Sequence, residues 1–112
     1  MKLKTANKIS RKLSCQYGIV NPPSVTLLKY SRKGQSVILG YYNNEDNQIE
    51  LNAYMIELWP YHRIHEVIRH ELIHARSYQD FGKGGHGKHF KMLCNLLGIK
   101  GDASNRISKH EG

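Results

Sequence analysis

The chain has 112 residues, 39% of them hydrophobic, and its seventeen lysines and arginines against nine acidic residues leave a formal charge of +8. That length suits one modest core, so a single domain over 1–112 is expected, with a core over about 1–98 and a polar tail over 99–112. No apolar run nears the roughly 20 residues that span a bilayer, the N-terminal MKLKTANKISRKLSC lacks a signal's apolar stretch, and Cys15 and Cys94 form no CxxC pair; a soluble intracellular protein is expected, without a disulfide framework or a cysteine zinc knuckle.

Residues 3 to 13 place Leu3, Ala6, Ile9 and Leu13 at helical spacing among Lys2, Lys4, Lys8, Arg11 and Lys12, which predicts a basic amphipathic helix. Pro22 and Pro23 end it. The β-branched and aromatic runs SVTLLKYS (24–31) and QSVILGYYN (35–43), separated by RKG, predict a hairpin. After the turn NEDN, QIELNAYM predicts a third strand with Ile49 and Leu51 on one face and Glu50 and Asn52 on the other. Pro60 then opens the strongest helix, with apolar residues at Ile64, Val67, Ile68, Leu72, Ala75 and Tyr78. The glycines of DFGKGG end it, and HGKHFKMLCNLLG resumes as a second helix carrying Phe90, Leu93, Leu96 and Leu97 up to a Gly98 cap. The fold class predicted is α+β: an N-terminal helix, a three-stranded antiparallel sheet, a long helix and a shorter one.

The chemistry concentrates in HELIH, residues 70 to 74. His70 and His74 stand one helical turn apart on one face, so both imidazoles can reach a single ion, and imidazole suits Zn2+. Glu71 falls inside the apolar stripe, where an ionised carboxylate needs a cation or strong hydrogen bonds to offset desolvation. In an HExxH helix that glutamate is the general base acting on the water at the metal.

A catalytic zinc wants a third protein ligand. The carboxylates downstream of Glu71 are Asp80, Asp102 and Glu111. The pattern HExxHxxGxxH is not met, because Ser77 stands at its glycine and Asp80 at its last histidine, although Asp80 remains an aspartate alternative. The glycines at 82, 84 and 85 let the chain reverse and point His86 back at the first helix, which makes His86 the expected third ligand. His89, one turn on, is the competitor, as an alternative ligand or a substrate contact. Cys94, two turns beyond His86, is too far along the axis to share the ion. Trp59, Tyr61 and Tyr78 could stabilise a tetrahedral oxyanion or line a substrate groove, but packing is the favoured reading and no role is assigned to them.

HELIH followed by GHGKHF resembles the SprT-like zinc metallopeptidase family, in which HExxH is followed by a variable loop and a histidine-glycine pair with an aromatic residue close behind. Phe90, four after His86, is similar to the Spartan branch. The resemblance covers about residues 1 to 98 and implies a zincin-like fold, His70, His74 and His86 as zinc ligands and Glu71 as the catalytic glutamate. The cysteine zinc ribbon that the family often appends has no counterpart, so a minimal catalytic core is expected.

The function expected is therefore a Zn2+-dependent endopeptidase, monomeric and without membrane contact, acting on a protein or peptide substrate in the cytoplasm or at the nucleoid. Its positive charge favours DNA as a further partner, so that DNA-associated or DNA-crosslinked proteins become candidate targets, with Lys4, Lys8, Arg11, Lys12, Arg32 and Lys33 as phosphate contacts. Two alternatives come from other classes: a metal-dependent nuclease with YbeY-like chemistry, and a non-catalytic basic module in which zinc only pins two helices together.

Overall fold

The computed structural model describes residues 1–28, 32–33 and 36–99, with 32–33 and 36–37 as backbone. Helix α1 covers Leu3–Gln16, and its buried residues Ala6, Ile9 and Leu13 are those the helical spacing selects. Ser10, also buried on this helix, satisfies its hydroxyl on the Pro23 carbonyl at 2.7 Å. Strand β1 (Ser24–Leu28) follows, then β2 (Arg32–Lys33), β3 (Ser36–Val37), β4 (Gly40–Asn43) and β5 (Gln48–Asn52).

The sheet is mixed, not antiparallel throughout. The runs read as one hairpin do not pair with each other as neighbours; β5 lies between them in the order β1-β5-β4. β1 runs parallel to β5, with Val25 opposite Ile49 and Leu27 opposite Leu51. β4 runs antiparallel to β5, with Gly40 opposite Leu51 and Tyr42 opposite Ile49. Burial explains the order: Ile49 and Leu51 are both wholly buried, so the strand that carries them takes the centre, while β1 and β4 alternate buried and accessible positions as edges do. Among the described residues the RKG hairpin is a separate two-residue ladder, Arg32 opposite Val37 and Lys33 opposite Ser36. The hairpin that matters for the sheet is closed by the turn between β4 and β5, where Asn47 takes a left-handed φ of 52° and accepts the Tyr42 hydroxyl at 2.7 Å.

The third strand also stops earlier than alternation suggests, because Asn52 is a helix cap. Its side-chain oxygen accepts from the backbone N–H of Tyr54 at 2.9 Å and of Met55 at 3.1 Å, opening helix α2 (Ala53–Leu58). Its amide nitrogen donates to the Ile38 carbonyl at 3.0 Å. These bonds hold Asn52 in the core, buried instead of on the solvent face of a longer strand.

Helix α3 (Tyr61–Phe81) is about 30 Å long by its helical rise and packs Ile64, Val67, Ile68 and Leu72 against the sheet and α1. Gly82 ends it in the left-handed conformation with φ 66°. Helix α4 (Lys88–Leu97) buries Phe90, Leu93 and Cys94 and ends at Gly98. The tail from 100 onward lies outside the described residues.

Candidate metal centre

His70 and His74 project from the middle of α3, and both are buried. His86 comes from the segment between α3 and α4, two residues before α4 begins, and is half-buried. The Nε2 atoms of His70 and His74 each lie 3.0 Å from Nε2 of His86. One donor atom from each of the three lies within 4.8 Å of the others.

That geometry fits one divalent ion. An imidazole nitrogen offers a single in-plane lone pair or a single proton, so His86 Nε2 makes one good hydrogen bond, whereas two neighbours at equal distance are better served by a shared cation. Ligand nitrogens about 2.0–2.1 Å from a tetrahedral ion stand about 3.3 Å apart, within a few tenths of the spacing seen here.

Phe90 is, from the sequence, an apolar residue of the second helix and the aromatic residue that follows His86 in the family pattern, with no part in the site assigned to it. Its ring centroid lies 5.0 Å from that of His70, 4.9 Å from His74 and 5.0 Å from His86, so one buried ring contacts all three imidazoles. The signal available in the sequence was its position four residues after His86, on the helix that follows the turn. Glu71 is wholly buried on α3 between the two helix histidines, as its place in the apolar stripe predicts.

The other candidates fall elsewhere. His89 stacks on Phe81 with ring centroids 4.1 Å apart and is outside the imidazole cluster. Asp80 pairs with Arg76 at 2.7 Å instead of turning to the histidines. Tyr78 packs on Tyr42 with centroids 5.8 Å apart. Lys4, Lys8, Arg11 and Lys12 are exposed and lie within about 100° on one face of α1, opposite its buried stripe. The side chains of Arg32 and Lys33 lie outside the described residues. No helix among the described residues is long and apolar enough to cross a membrane.

Strand β4 places a sheet edge beside α3. A Cβ on Gly40 would come within 2.8 Å of Val67 Cγ1, so the strand and the metal helix approach as closely as a glycine allows.

Comparison with known proteins bears on the fold and the family. The solved metallopeptidase zymogen jannalysin of Methanocaldococcus jannaschii superposes with a TM-score of 0.62 over 93% of this chain and 90% of its own, at 17% identity, which shows a shared zincin-like fold. Protein SprT of Glaesserella parasuis is 32% identical over 80 residues, 70% of this chain and 48% of that protein. Protein SprT of Klebsiella pneumoniae is 35% identical over 82 residues, 71% of this chain and 48% of its own length. The chain thus spans about half the length of these relatives. The SprT-like family profile matches residues 7–110, nearly the whole sequence, and this chain belongs to the SprT-like family.

Proposed function

We propose that this chain is a zinc-dependent endopeptidase, with His70, His74 and His86 as the metal ligands and Glu71 as the general base. The observation that carries the reading is the convergence of the three Nε2 atoms, two of them on a helix that also buries Glu71. When bound, Zn2+ supplies Lewis-acid polarisation of a peptide carbonyl and lowers the pKa of water. The protein's own contribution is to hold three neutral imidazoles with their lone pairs inward, on a rigid helix and a turn, with Phe90 excluding solvent from one side. Glu71 accepts the proton of the attacking water and delivers it to the leaving amine nitrogen. The peptide lies extended along β4, whose outer edge has no strand partner among the described residues and which packs directly on α3.

The basic face of α1 supports DNA-associated proteins as the substrate class, since phosphate contacts need positive charge more than fixed geometry. A carboxylate immediately after the first histidine favours peptide hydrolysis over YbeY-like nuclease chemistry, and a zinc that only pinned helices together would make no use of it.

The test is incubation of the zinc-loaded protein, alone and with single-stranded or duplex DNA, with a basic DNA-binding protein as substrate and Glu71→Gln as control. Fragments that appear with the parent and disappear with Glu71→Gln, while zinc is still bound, support the peptidase. Cleavage of the DNA in place of the protein transfers the assignment to a nuclease. Identical behaviour of parent and variant in every assay leaves the structural-zinc module.

A further inference from the structure

Ser77 is almost wholly buried, 1% exposed, and lies two turns beyond His70, within about 20° of it on the helical wheel. A serine inside a helix ordinarily turns its hydroxyl to solvent or back to the carbonyl one turn before it. Ser77 does neither: its Oγ donates forward to the carbonyl of Lys83 at 2.5 Å, across the end of α3. The next residue, Tyr78, backs the following loop position. A Cβ built on Gly84 would come 2.7 Å from Tyr78 Oη and 3.0 Å from two of its ring carbons. The segment that leads to His86 is thus pressed onto α3 at two successive residues.

The need for such a tether follows from the loop's composition. His86 stands between Gly85 and Gly87, with Gly82 and Gly84 just before, and glycine backbone loses more entropy on ordering than any other. A ligand on a loose segment is in place only part of the time, and the apparent metal affinity falls by that fraction. Fixing Lys83, three residues before the imidazole, raises it.

We propose that Ser77 is a positioning residue for the metal centre, its hydroxyl holding the Lys83 carbonyl so that His86 meets His70 and His74 before the ion arrives. This rests on the reading of those three histidines as ligands. It explains why serine occupies the place that glycine holds in HExxHxxGxxH: here the helix runs on to Phe81, and the reversal is made later by a tethered glycine loop.

The test is metal affinity, measured by chelator competition with Zn2+ and with Co2+ on the full chain, in a double-mutant cycle. Ser77→Ala is expected to weaken binding about 10- to 100-fold, the range for supporting hydrogen bonds around metal ligands. Gly84→Ala, at an exposed loop position, should weaken it through the same loop, and Ser77→Thr, which keeps the hydroxyl, should restore most of the affinity. If Ser77 acts through the third histidine, adding Ser77→Ala to His86→Ala costs nothing more. The proposal is overturned if Ser77→Ala binds metal as the parent does, or if Ser77→Ala costs the same factor with and without His86. A His86→Ala protein that binds as tightly as the parent removes the metal-centre reading itself, and this inference with it.

Discussion

Replacing Phe90 separates packing from alignment at the metal centre. Truncation to alanine would delete a ring that is 1% exposed, at a cost of about 3–5 kcal/mol for a core Phe→Ala change. Unfolding entropy is about 2.1 cal/mol/K per residue, or about 0.24 kcal/mol/K for the whole chain. The loss then amounts to a fall in Tm of about 13–21 °C, a large fraction of the roughly 5–15 kcal/mol that holds a domain folded. Phe90→Leu is the sharper probe. It keeps most of the volume and should cost less than about 1.5 kcal/mol, or at most about 6 °C. It removes the ring that touches the three imidazoles, and an aromatic contact of this kind is worth about 0.5–1.5 kcal/mol beyond buried area. If that worth goes into holding the imidazoles with their nitrogens converged, metal affinity falls about 2- to 13-fold. The assay pairs the Tm of the metal-free protein with zinc affinity by chelator competition. Affinity equal to the parent's, alongside the expected small fall in Tm, would refute the idea that this ring aligns the ligands.

His65 and the cysteines supply two further outcomes. Burial, then the neighbouring Arg69 guanidinium, push the His65 imidazole below its ordinary value; Lys12 adds to this and Glu66 opposes it. Its folded pKa is depressed, so its contribution to stability is fully present above the unfolded value of about 6.5 and is lost as pH falls through the folded value. The difference in urea midpoint between chelator-treated parent and His65→Gln should therefore narrow as pH is lowered from 7.5 to 5, and a pH-independent difference would contradict it. Burial pushes the Cys94 thiol up to about 11, whereas Cys15 is exposed. A disulfide reagent at pH 8 should react rapidly with Cys15 alone in the native protein and with both thiols in denaturant. Rapid loss of both native thiols would show that α4 opens freely.

What was legible in the sequence was whatever depends on local periodicity. The HELIH spacing put two imidazoles on one face of α3, and the wheel put Glu71 in the buried stripe, because both follow from 100° per residue. The third histidine followed from elimination among the candidate ligands and from the glycines that let the chain reverse. Strand order was not legible: alternation says which face of a strand is buried and nothing about its neighbour, so β5 at the centre had to be learned from the structure. Asn52 misled for a related reason, since a polar residue at an even position of a strand and a polar residue capping a helix look alike until its partners are known.

Phe90 and Ser77 define the deeper limit. Each has an ordinary local explanation, one as an apolar residue on the stripe of α4 and the other as a polar residue late in a helix. Phe90's contacts with the imidazoles and Ser77's bond to the Lys83 carbonyl arise only when the loop of residues 82–87 brings α4 back against α3, a tertiary event with a weak local signature. The ligands can be found from spacing because metal chemistry demands particular residue types. The groups that hold them in place can be built from almost any side chain of the right shape, and so only packing reveals them. On the proposed reading, in which the third ligand rides on a glycine-rich loop, those groups should govern metal affinity as much as the imidazoles do, which is what the Phe90 and Ser77 variants measure.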